Sequence, residues 1–281
     1  MIKTLAEYYL KKIFPNESFQ YFGSGAKSTV FRSEQGKIVR FKPIWLLTYT
    51  EESNFLNFIN KNGGIGYKVP DINAFIRLPF AISVHNDFGG EIANKESFNS
   101  LDSATQKSFI KQLSKSLISL HKIGKTSGAE KVFKKQDLNL LRKVKYAVFL
   151  SNKKMLNGWQ KLRQAYLERE LSLGPTHYDL QFQNKIIDDN FSLIGLIDFD
   201  RTPFKPLEYN LRRTARPVSN LIIDCWSEAG YEIDFTVLNY YRAECLLWRL
   251  TRFSKLIKRK NNEDSLRELK EILENPFCRH K

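Results

Sequence analysis

Two aspartates and an asparagine between residues 177 and 200 stand at spacings that could do chemistry. His177-Tyr178-Asp179 is followed by Asn184, five residues after the aspartate. Two short runs, Lys185 to Ile187 and Ser192 to Ile197, then flank Asp188-Asp189-Asn190, and the second ends in Asp198-Phe199-Asp200. Apolar runs on either side of such turn formers read as a β-hairpin. Its second strand, apolar over Leu193 to Ile197, delivers the charged Asp198 at its end, where an isolated buried carboxylate is costly without a cation. Taken singly, each of these residues is an ordinary cap or turn former. The ordered set is what points to a site.

The elements that would position this set come from two kinds of sequence. The first ninety residues begin with an amphipathic helix from about Ile2 to Phe14, followed by three short strands. The first two are joined at Gly23-Ser24-Gly25, followed by Ser28-Thr29-Val30, and the next pair turns at Glu34 to Gly36. The third strand, Lys37 to Phe41, leads Arg40 and Lys42 out on the same face, two residues apart. Leu46 to Asn60 suits a helix packed on that sheet through Leu47, Phe55, Leu56 and Ile59, with Glu51 and Glu52 near its start. Asn73 to Val84 reads as two more strands broken at Pro79, and Asn86 to Gly90 as a loop. Beyond about residue 100 the pattern is helical. One helix opens at Asp102 or Ser103 and repeats Phe109, Leu113, Leu117 and Leu120 on one face, and helical patterning resumes from about Ser219 to Leu273.

The order H-x-D-x-x-x-x-N, short hairpin, I-D-F-D resembles the catalytic and metal segment of the aminoglycoside phosphotransferase family, phosphotransferases of the protein-kinase-like fold. The Asp-Phe-Asp motif and compact spacing fit that branch better than Asp-Phe-Gly protein kinases. The resemblance implies an α+β fold of two lobes, a small β-rich one over 1–88 and a larger helical one over 89–281, with phosphoryl transfer from Mg-ATP or Mg-GTP to an acceptor hydroxyl. Such transfer needs the hydroxyl held in line with the γ-phosphorus, its proton accepted, and the phosphate charge neutralised. By resemblance Asp179 takes the acceptor-orienting and base role, and Asn184 and Asp198 are Mg2+ ligands, hard oxygen donors that suit this ion. His177 braces the loop, and Asp200 is an auxiliary carboxylate. Gly23, Ser24, Gly25 and Ser28 resemble the nucleotide-positioning loop, which on its own is also the pattern of any glycine hairpin. The family's third-strand lysine is replaced: Arg40 stands at the aligned position, Lys42 two residues on, and either could meet the phosphates. Glu52, with Glu51 as the alternative, matches the helix glutamate that pairs with that cation. The adenine is expected near residues 84–88. Asn210 stands where the family often places an aspartate.

Composition bounds the remaining readings. The 281 residues carry a formal charge of +15, a field that concentrates anions: nucleotides, phosphorylated sugars, acidic surfaces or nucleic acid. A non-catalytic basic protein binding nucleic acid or an anionic surface is therefore the rival class, and a kinase of a protein, a surface glycolipid or a sugar phosphate is the rival within the enzymes. Complete Asp179, Asn184 and Asp198 argue for the enzyme. Lys205, Arg212, Arg213 and Arg216 lie just past the metal segment, as an acceptor-side cluster favouring an anionic acceptor or as a solvated face. No apolar run approaches the roughly 20 residues needed to span a bilayer, and the start lacks a signal-peptide pattern, so a cytoplasmic location is expected. Cys225, Cys245 and Cys278 lack the spacing of a zinc site or disulfide framework and are expected to be reduced.

Overall fold

The computed structural model describes residues 2–24, 28–43, 49–61, 65–77, 80–123, 142, 146, 149–150, 152–199, 204–253 and 259–280. The chain begins with α1 (Ile2–Ile13), β1 (Phe19–Ser24), β2 (Thr29–Ser33), β3 (Lys37–Pro43), α2 (Tyr49–Lys61), β4 (Ile72–Arg77) and β5 (Phe80–Asn86). Then come β6 (Glu91–Ile92), α3 (Lys95–Ser100) and α4 (Ser103–Ile123), followed by α5 (Lys153–Leu167) and β7 (Gly174–Pro175). The hairpin β8 (Lys185–Ile187) and β9 (Leu193–Leu196) leads to β10 (Phe204–Lys205), α6 (Arg216–Glu228), α7 (Phe235–Phe253) and α8 (Arg259–Glu274). Two compact units result, each made from two stretches of chain: 1–109 with 182–202, and 110–181 with 203–281. Asn184 and Asp198 belong to the first unit, Asp179 to the second.

Period-two alternation builds the main sheet of the first unit. Phe31, Val39, Phe41, Ile82 and Val84 are buried on one face against Ala6 and Leu10 of α1, which leaves Lys3, Lys11 and Lys12 of that helix exposed. The strand order is β1-β2-β3-β5-β4, so the meander expected for the first three strands holds, and β5 then takes the place beside β3. Residues 81–85 of β5 are all buried, as suits a strand flanked on both sides, and it pairs with β3 from Lys37↔Asn86 to Pro43↔Phe80. Gly23 and Ser24, expected in the turn, instead extend β1 opposite Val30 and Thr29.

A second sheet, β6-β8-β9, carries the hairpin, and residues 65–71 cross it through a parallel bridge from Lys68 to Gly195. The approach there is close: a Cβ on Gly195 would lie 2.7 Å from both the Lys68 carbonyl oxygen and the Phe88 ring. A side chain at 195 would push the crossing segment off the strand.

Tyr146, Trp159, Leu162, Tyr166, Tyr240, Tyr241, Leu247, Leu269 and Ile272 make the core of the second unit. The rings of Tyr166 and Tyr240 stack at 3.8 Å, and the hydroxyls of Tyr166 and Tyr241 share a 2.7 Å hydrogen bond. Helix α5 meets α8 so closely that a Cβ on Gly158 would lie 2.2 Å from the Leu273 carbonyl oxygen. Asp102 caps α4, accepting from Ala104 N at 2.8 Å and Thr105 N at 3.0 Å. Among the described residues no helix is long and apolar enough to cross a membrane, and the three cysteines are free.

Candidate active site

In the first unit the site grows out of β3. Because Val39 and Phe41 take the α1 face, Arg40 and Lys42 emerge on the other, beside Ser83 and His85 of β5. The Nη2 of Arg40 donates to Asp198 Oδ1 at 3.2 Å, while Lys42 is wholly buried. Ser83 Oγ and His85 Nε2 lie 2.7 Å apart in the same buried layer. Burial, then the charges of Arg40 and Lys42, push the His85 imidazole down to about 3, so this ring is neutral at physiological pH.

Asp198 itself has φ 67, in the left-handed region that aspartate tolerates better than most residues. The chain thereby turns out of line with β9 immediately after Ile197. Phe199 is buried next to it, its ring centroid 5.9 Å from that of Phe55 on α2. Asn184 closes a 3₁₀ turn over Phe182–Asn184, and its carbonyl accepts from Ile197 N at 3.0 Å. That bond ties the two expected metal-binding positions to each other through the backbone. The turn rests on rings, with Phe98 lying 5.1 Å from Phe182 and 5.7 Å from Phe109. Of the expected nucleotide-loop residues, Gly23 borders open space and Ser28 is half-buried; Gly25 lies outside the described residues, as does Asp200. Ser24 ends β1, and Glu51 and Glu52 lie in the first turn of α2; their side chains are outside the described set.

In the second unit, loop 176–180 is held from behind. His177 is fully buried, its N–H donates to Asn210 Oδ1 at 2.8 Å, and its Nδ1 accepts from Asp179 N at 3.2 Å. Asn210 in turn donates to the Leu207 carbonyl at 2.9 Å. The amide thus supplies an acceptor for a buried N–H as a carboxylate would, without introducing a buried charge.

The four basic candidates past the metal segment fare differently. Arg212 is buried, its guanidinium carbon 4.2 Å from the Tyr178 ring centroid and 3.8 Å from that of Tyr209, and it donates to the carbonyls of both residues. Arg216 pairs with Glu268 and Glu271 of α8. Lys205 sits on β10, opposite Gly174; burial lowers its pKa, and nearby Glu244 opposes that shift. Burial raises the Glu244 pKa, opposed chiefly by Arg142 at 3.0 Å. Arg213 lies 3.9 Å from Asp179 Oδ1, with its Nη2 3.4 Å from the Tyr178 hydroxyl.

Sequence reasoning did not single out Tyr178, Tyr209, Arg142, Glu244, Ser83 or His85. Glu244 had a signal, being the sole acid between Asn239 and Leu250. Ser83 and His85 could be placed beside Arg40 only once β5 was known to pair with β3.

The profile of the phosphotransferase enzyme family matches residues 18–220, and the chain belongs to that family. Solved structures of like fold include the GDP complex of aminoglycoside 2'-phosphotransferase-IIIa, at 12% identity and TM-score 0.73, covering 99% of this chain and 100% of that one. Macrolide 2'-phosphotransferase MphH from Brachybacterium faecium is 11% identical at TM-score 0.64, with 94% and 96% covered. Aminoglycoside phosphotransferase APH(3'')-Id from Streptomyces rimosus, solved with ADP and streptomycin, is 14% identical at TM-score 0.60, with 88% and 98% covered. The chain therefore has the kinase-like α+β fold of these phosphotransferases. No curated protein sequence matches it.

Proposed function

We propose that the protein transfers the γ-phosphoryl group of ATP or GTP, with Mg2+, to a hydroxyl of an acceptor molecule. The observation that carries this reading is the 3.2 Å contact between Arg40 and Asp198, which joins the candidate phosphate-binding strand to the candidate metal carboxylate within one unit. Asp198 already faces a positive group, and Asn184 is tied to the strand that precedes it, so the donor set fits a hard divalent ion. Asn184 and Asp198 would hold it, and its chemistry would be neutralisation of phosphate charge.

The remaining roles fall to the chain's own groups. Arg40, the less buried of the two β3 cations, takes the phosphates as Asp198 gives it up, and Lys42 keeps that sheet face positive. Asp179, whose backbone N–H is held by His177, orients the acceptor hydroxyl and accepts its proton. The acceptor oxygen bonds to the γ-phosphorus, the bond to the bridging oxygen breaks, and the nucleoside diphosphate leaves. The test is a nucleotide-consumption screen with Mg-ATP and Mg-GTP against sugars, phosphorylated sugars, aminoglycosides, macrolides and a generic protein substrate. Acceptor-dependent consumption is expected. Absence of Mg-nucleotide binding by calorimetry would remove the proposal.

A further inference from the structure

Of the four basic candidates between 205 and 216, three have their contacts elsewhere in the second unit or with its backbone. Arg212 spends its guanidinium on the Tyr178 and Tyr209 carbonyls, Arg216 on two glutamates of α8, and Lys205 is half-buried near Glu244. Arg213 is different, because its ion-pair partner is Asp179 itself. Its guanidinium lies 4.9 Å from the Tyr178 ring centroid, so the ring holds the cation in place from one side. The side chains of Arg213 and Asp179 keep 23% and 21% of their surface exposed, enough for a bound molecule to reach both.

From this arrangement we infer that Arg213 sets the charge preference of the acceptor, favouring a hydroxyl compound that carries a phosphate or carboxylate near the reacting oxygen over a polyamine. The inference rests on Asp179 being the acceptor-side base. Before transfer the Arg213–Asp179 pair is close to neutral. When Asp179 takes the hydroxyl proton it loses its charge, and Arg213 is left as an uncompensated cation a few ångströms from the acceptor oxygen. An anionic acceptor restores the balance at that moment, whereas an ammonium group adds a like charge in a partly desolvated site. A preference that appears as Asp179 is protonated acts on the transition state, so it is expected in kcat as well as in KM.

The experiment uses matched triples of acceptors on one scaffold, such as a sugar, its phosphate monoester and its amino derivative, with the full-length protein, Arg213→Gln and Arg213→Lys. For the wild type, the phosphate ester is expected to have the highest kcat/KM of its triple. Relative to the neutral sugar, Arg213→Gln should lower the phosphate ester's kcat/KM about tenfold or more and raise that of the amino sugar, and the wild-type gaps should narrow as salt rises. Arg213→Lys should retain the order of preference. Neutral or amino sugars outperforming the phosphate ester would overturn the inference, as would equal losses on all three acceptors in Arg213→Gln. Mg-ATP binding without consumption for any anionic acceptor overturns it too, while sparing the nucleotide reading. If Mg-ATP does not bind at all, the phosphotransferase reading fails and the inference with it.

Discussion

Each unit pairs one aspartate of the candidate site with one arginine, and the two pairs are built differently. Arg40 donates directly to Asp198 at 3.2 Å, from a strand whose neighbours on that face are buried. Arg213 stands 3.9 Å from Asp179, and its side chain also lies against Tyr178. On the proposed function, the first pair would have to open for its two groups to meet a metal ion and phosphates. The second can stay as it is while Asp179 changes protonation. Under the proposed function one arginine would hold a place that ligands take, and the other would stay a fixed part of the acceptor side.

The largest effect should come from the second pair. Asp179→Asn removes the proton acceptor but keeps the shape, so kcat should fall by about 10³ while calorimetry shows Mg-nucleotide affinity unchanged. A variant with near-normal turnover would erase the contrast between the pairs. Next in size, Asp198→Ala should weaken Mg-nucleotide binding by about 100-fold and Asn184→Ala by about tenfold, since a charged oxygen ligand holds a divalent ion more strongly than an amide. Equal affinities in Asp198→Ala and wild type would place the metal elsewhere.

Arg40→Gln sharpens the same contrast through two opposite signs. Nucleotide affinity should drop about tenfold for loss of a charge-assisted contact, yet Mn2+ alone should bind more tightly, because Asp198 no longer has an internal cation. Weaker binding of both would show that the pair does not compete with the ion. The smallest effect concerns the sheet face on which Arg40 lies. His85 binds its proton near 6.5 when unfolded but only at about 3 in the fold. Below 6.5 the unfolded chain takes up a proton the folded chain refuses, so stability falls with acidification by about 1.4 kcal/mol per pH unit down to about 3. Denaturant unfolding at pH 7 and pH 5 should show this loss, and His85→Gln should reduce it.

Much of this was legible beforehand because the informative residues are local in sequence. The hairpin after Asn184, the apolar strand leading to Asp198 and the cap at Asp102 or Ser103 are short-range patterns; the structure has the strand at Leu193–Leu196 and the cap at Asp102. What escaped depends on pairing over long distances. The two-residue strand β6, exposed at both positions, has no periodicity to detect and exists because β8 lies beside it. The position of β5 between β3 and β4 follows from burial on both faces, which Pro79 obscured. The basic run at 205–216 shows the same limit in the site: charge type was readable, but only tertiary partners separate Arg213 from Arg212 and Arg216.

Assembly of each unit from two separated stretches has a consequence for the newly made chain. The main sheet can form once β5 has been synthesised, but its unit lacks the hairpin and the Asn184–Ile197 tie until some hundred residues later. During that interval β6 has no β8 to pair with, and the crossing segment at Lys68 has no strand beneath it. Contacts of such long sequence separation close slowly and leave apolar surface open to other chains meanwhile. Yield of folded protein should therefore respond to translation rate and chaperone supply.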